Sequence, residues 1–93
     1  MMRLEELDGK GVVDSEARLI GHVTGLEFDT ANWKITHICV KLADSAVEDF
    51  GYKKPRFGSI NILIPVEVVK AVKDIIALTQ GFKDLQSVVL RRE

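Results

Sequence analysis

"LIGHVTGLEFDTANWKITHICVKL", residues 19–42, decides the fold. Its first arm, residues 19–28, ends at the turn-forming run Asp29, Thr30, Ala31, Asn32. Its second arm, residues 33–42, is rich in β-branched and aromatic side chains, which suit a pleated, half-buried surface. The two arms read as a β-hairpin. In the first arm Val23 is out of phase with Leu26 and Phe28, and Gly25 lies between them. A glycine at a phase break predicts a β-bulge, the device that bends a strand around a small barrel.

Outward from the hairpin, β signals dominate. Residues 10–15, "KGVVDS", form a short β-rich run stopped by Asp14 and Ser15, whose side chains can bond nearby backbone N–H groups. Residues 43–59 have no clean period and contain Gly51, Pro55 and Gly58, which predicts one helical turn followed by a loop. "INILI", residues 60–64, alternates and is halted by Pro65, after which "VEVVKAV" reads as a short helical turn. "DIIALTQ" reads as the last strand. In the tail, Phe82, Leu85, Val88 and Val89 fall on one stripe of an amphipathic helix over residues 81–93, with Arg91 and Arg92 near the negative end of its dipole.

With 93 residues, 46 % of them hydrophobic, the chain suffices for one core and is too short for two. It reads as a single domain over residues 1–93, with a core at 5–79 and a helical tail at 81–93. No apolar run approaches the ~18 residues of a membrane helix, and the first residues lack a signal sequence's apolar region, so a cytoplasmic location without membrane insertion is expected. Cys39 is the single cysteine, so no internal disulfide can form. Residues 1–50 carry five Lys or Arg against ten carboxylates, and residues 51–93 carry eight against four. If the halves separate in space, their opposite potentials favour association with a second copy or a homologue; scattered solvated charge is the plainer reading.

These elements in order resemble the PRC-barrel domain, a small β-barrel. The matching pieces are "GKGVVDS" at 9–15, "IGHV" at 20–23, Asp29 with Trp33 and Ile35 in the hairpin turn, and Ile64 with Pro65. The resemblance implies a mainly β fold, a PRC-type barrel of five to six strands with a short C-terminal helix. A second layer, "GYKKPRFGSINILIPVEVVKAV" at 51–72, is similar to the "KKP-x-x-G" loop and "IPV-x-x-VKAV" segment of stand-alone archaeal PRC-barrel proteins. Some of those act as cell-division adaptors. That implies a non-enzymatic binding module at the division site, pairing as a homodimer or with another PRC-barrel protein, and with the membrane anchor of the tubulin-like division ring. The alternative implied by the family is a ribosome maturation or RNA-processing accessory that binds a ribosomal protein, although the additional N-terminal domain of that factor is missing from this sequence.

Candidate contact residues follow from the loop, the strand and the tail: Lys53, Lys54, Pro55 and Phe57; Ile62 and Leu63; Phe82 and Leu85. For each group a structural role competes with the functional one, the cations as a solvated loop flank and the apolar residues as core. Lys53, Lys54 and Arg56 stand beside a single aromatic, Phe57, without the stacking platform that single-strand binders use, so no specific nucleic-acid binding is expected. His22, His37 and Cys39 share one sheet face if Phe28 pairs with Trp33; a one-residue slip moves His22 to the face opposite the other two. They are weak metal candidates, and no cofactor is expected. No phosphate loop, nucleophile elbow or metal-ligating helix motif occurs, so no catalysis is expected.

Overall fold

In the computed structural model, which describes residues 2–92, the hairpin of residues 19–42 is the longest element and everything else is arranged around it. A helical turn α1 (Leu4–Leu7) leads into β1 (Gly11–Val13), and the hairpin is β2 (Leu19–Asp29) and β3 (Lys34–Leu42). Then come α2 (Asp44–Val47), β4 (Asn61–Pro65), a 3-10 turn (Val66–Val68), β5 (Val69–Val72), β6 (Ile76–Leu78), α3 (Phe82–Leu85) and β7 (Leu90–Arg92). All seven strands belong to one sheet in the order β5-β6-β1-β2-β3-β4-β7. The β1–β6 pair is parallel and the others are antiparallel. β5 pairs with β6 alone, so between β4 and β5 the sheet is joined by the chain of the 3-10 turn rather than by a strand ladder.

Two bulges keep the hairpin's apolar residues in phase with the core. Val23 pairs with Val40 and Gly25 with Cys39, leaving Thr24 as the extra residue of β2. Glu27 pairs with His37 and Phe28 with Ile35, leaving Thr36 as the extra residue of β3. Each extra residue is a threonine whose hydroxyl donates to the facing strand: Thr24 Oγ1 to the Cys39 carbonyl at 3.4 Å and Thr36 Oγ1 to the Glu27 carbonyl at 3.4 Å. The period-2 pattern is thereby reset twice, and Gly21, Val23, Leu26 and Phe28 share the face of Leu42, Val40, Ile38 and Ile35. The bulge expected beside Gly25 is present.

Val12, Ile20, Val23, Val40, Ile62, Ile64, Ile76, Leu78 and Leu85 are at most 1 % exposed and form the centre of the core. Phe82 packs on Phe50 with ring centroids 5.0 Å apart, which fastens α3 to the turn after α2, and the Gln86 amide donates to the Asp49 carbonyl. Gly21 is required by contact: a Cβ there would lie 2.1 Å from the Lys41 carbonyl oxygen.

The structure differs from the sequence reading at three elements. Only Val66–Val68 of "VEVVKAV" is helical; residues 69–72 are strand, because their β-branched residues find β6 as a partner. The helix expected over residues 81–93 is confined to Phe82–Leu85, and Leu90–Arg92 instead pairs with Asn61–Leu63. Isolated short helices are marginal, whereas β4 offers an unfilled backbone edge that β7 can satisfy. "DIIALTQ" is therefore the penultimate strand. β7 brings the total to seven, and the small mainly β domain with a short helix stands.

Candidate functional site

The turn after β1 is built on Asp14, which is buried although charged. Its Oδ1 accepts the N–H groups of Glu16 (2.9 Å) and Arg18 (2.8 Å), and its Oδ2 accepts from Arg18 Nε (3.1 Å) and pairs with Nη2 (3.1 Å). Burial on its own raises this carboxyl, but the N–H groups of Arg18 and Glu16 and the Arg18 guanidinium together hold it below the ordinary aspartate value. The Arg18 guanidinium also lies 4.5 Å from the centroid of Phe82, fastening the turn to α3. A depression of about 490 Å³ adjoins Asp14, lined also by Ala17, Lys70, Ile75 and Thr79. Both Asp14 oxygens are engaged by its own turn, so this carboxylate is a structural group and offers no free valence to a ligand.

The opposite end of the hairpin has another character. Its apolar face leaves the core and continues into solvent: Val23 is buried, Leu26 half-buried, Phe28 is 50 % exposed and Trp33 74 %. The Phe28 and Trp33 rings stack with centroids 5.7 Å apart. Trp33 holds a left-handed backbone (φ 58°), unusual for a bulky residue, at the end of a turn pinned by Asp29 Oδ1 to the Ala31 N–H (2.8 Å) and Asn32 Oδ1 to the Lys34 N–H (3.1 Å). Beside this tip runs a groove of about 370 Å³. Leu26, Ile35 and Ile38 form one wall and Val66, Val69, Val72 and Ile76 the other, with Leu7 of α1 contributing as well. The groove is the seam left between the hairpin and β5, and an apolar tip beside an apolar seam can bind another protein surface.

The residues expected to make contacts divide sharply. Ile62, Phe82 and Leu85 are buried core and present no surface, because the strand and helical turn carrying them face inward; they are withdrawn as contact residues. Lys53, Lys54 and Phe57 are exposed on their loop, and Pro55 is half-buried at its centre. Leu63 is half-buried on the outer face between Cys39 and Leu90. Asn61–Leu63 do not form an open edge, since they pair with β7. The seam was missed: Leu26 and Ile35 read as ordinary hairpin residues, and the only hint was that the apolar phase runs on to the turn.

The pairing that would gather His22, His37 and Cys39 does not occur. His22 faces Lys41, His37 faces Glu27, and Gly25 stands opposite Cys39. Among the described residues no three His, Cys, Asp or Glu side chains are grouped to hold a metal ion. Cys39 is buried on the outer face, with Arg92 Nη1 3.6 Å from its sulfur. Burial raises the thiol above its ordinary value, with the Arg92 charge acting the other way.

The seven-stranded sheet, its Asp14 turn and its apolar seam define a small, mainly β domain of the barrel type. The PRC-barrel domain profile matches residues 1–85, and the chain belongs to the PRC-barrel family, a non-catalytic domain family. A comparison with curated proteins returns no match. Among the described residues no helix is long and apolar enough to cross a membrane.

Proposed function

We propose that this protein is a non-enzymatic interaction adaptor that pairs, through the seam groove, with a second copy or a homologous PRC-barrel protein. The observation that carries the reading is that the groove wall comes from the segment by which the chain resembles stand-alone archaeal PRC-barrel proteins. Val66, Val69 and Val72 lie in "IPVEVVKAV" and face Leu26, Ile35 and Ile38 across the seam. One chain also supplies both complementary parts, the projecting Phe28–Trp33 pair and the adjacent groove. That arrangement suits a two-fold contact in which each copy inserts its tip into the other. The archaeal cell-division machinery, with the membrane anchor of its tubulin-like ring as a further partner and the division site as location, is the context this resemblance supports.

The test uses light scattering on size-exclusion-purified protein. Trp33→Ala and Val72→Glu change exposed residues and leave the thermal transition intact. The expected result is a dimer for the natural sequence and monomers for both variants, with a blue-shifted emission of Trp33, the only tryptophan, on dimerisation. A monomer at all concentrations that also fails to bind a homologous PRC-barrel protein, or a dimer indifferent to both substitutions, overturns the proposal.

A further inference from the structure

The loop between α2 and β4 is separate from the seam and shares no residue with it. Two glycines in the left-handed region, Gly51 (φ 80°) and Gly58 (φ 76°), bracket residues 52–57. The loop is anchored where it begins: the Gly51 N–H donates to the Glu48 carbonyl (2.9 Å) and the Tyr52 N–H to the Val47 carbonyl (3.1 Å). At its other end Phe57 is 86 % exposed. Around that ring the sequence places Lys53, Lys54 and Arg56, and no carboxylate occurs between Asp49 and Glu67. Arg91 of β7 joins them, its guanidinium 5.5 Å from the centroid of Tyr52. Among the described residues the ion pairs all involve Arg18, so these four cations carry none.

A solvated aromatic ring on an anchored loop is poor material for a core. Flanked in sequence by three cations, it has the form of an interfacial anchor. Anionic headgroups attract the cations, and a single ring can enter the acyl boundary beneath them. We infer that residues 52–57, with Arg91, attach the domain to an anionic lipid surface without spanning it. One ring gives no platform for successive bases, which disfavours nucleic acid. A protein partner finds its clustered aromatic and apolar contacts at the hairpin tip and seam instead.

The experiment is sedimentation with vesicles of phosphatidylcholine alone and of phosphatidylcholine mixed with phosphatidylglycerol, at low and high salt. The natural protein partitions onto the mixed vesicles only, and high salt releases it. Each surface cation is worth about fivefold in partitioning, so Lys53→Ala, Lys54→Ala and Arg56→Ala together lower it roughly a hundredfold. Phe57→Ser weakens binding while leaving the salt dependence in place. All of these residues are exposed, so the variants keep the natural melting temperature, and the seam-dependent dimer persists in them. Absence of the natural protein from the mixed-vesicle pellet overturns the inference. So does retention by the triple variant, or displacement by single-stranded polyuridine with Phe57→Ser binding unchanged, which would mark a general polyanion surface.

Discussion

Replacing Asp14 tests the reasoning about the β1 turn most directly. Asp14→Ala removes the acceptor of two backbone N–H groups, at 2.9 and 2.8 Å, together with the partner of Arg18. Hydrogen bonds to a charged acceptor contribute about 1.5–3 kcal/mol each. Glu16 and Arg18 are exposed residues whose freed N–H groups can reach water, so the lower end applies and the two together come to about 3 kcal/mol. The Arg18 side chain is 51 % exposed, so its pairing adds little beyond this. For a domain of this size about 3 kcal/mol lowers Tm by roughly 12–24 °C. Asp14→Asn keeps an oxygen for both N–H groups but loses the charge and turns an amide N–H toward the Arg18 guanidinium in place of the accepting Oδ2, so it costs about 1–2 kcal/mol. Because the folded-state carboxyl is held below its ordinary value, its contribution is present above the unfolded pKa of about 3.9 and is lost as pH falls through the folded pKa. Thermal melts followed by circular dichroism should therefore show the natural protein well above Asp14→Asn at neutral pH, with the two converging in acid. A gap that stays constant across that range would refute the account.

Two further substitutions bear on the sheet. Gly21→Ala places a methyl group 2.1 Å from the Lys41 carbonyl oxygen and 2.9 Å from Val40 Cγ1, so the β2–β3 ladder must separate; the variant should lack a cooperative melt, and a natural Tm would contradict the geometry. Arg92→Ala uncovers the Cys39 sulfur, so iodoacetamide should alkylate the folded variant several-fold faster than the natural protein. Losing the Arg92 charge raises the thiol further and works against the reaction, so any acceleration understates the steric cover; an unchanged rate would mean that Arg92 does not shield the sulfur.

The hairpin and the bulge at Gly25 were legible because they follow from local chemistry, a turn-forming run and a break in a period of two. The turn at Asp14 was legible for the same reason. The second bulge, at Thr36, left no mark, since a threonine inside a β-branched run disturbs no pattern. The tail was misread because Phe82, Leu85 and Val89 are inward-facing in either conformation, and periodicity alone does not report that β4 lacks a neighbour on one side. Site residues fared similarly. Ile62, Phe82 and Leu85 carry an apolar signal that core and interface share, whereas the seam joins Leu26 and Ile35 to Val69 and Val72, residues far apart in the chain. Lys53, Lys54 and Phe57 were legible as surface because no neighbouring period draws them inward.

The pairing of β7 with β4 has a consequence for how the chain is made. β4 carries Ile62 and Ile64, and its free side stays open until Leu90–Arg92 have been synthesised. With translation at about 5–20 residues per second, the roughly 30 residues from Ile62 to Arg92 take about 2–6 s. Through that interval the nascent domain has an apolar strand with an unfilled backbone, the form most prone to pair with another chain. This short strand thus acts as a clasp that closes only once residues 90–92 are in place. A loss of those few residues should show first as poor yield from the cell, before any defect in partner binding can be read.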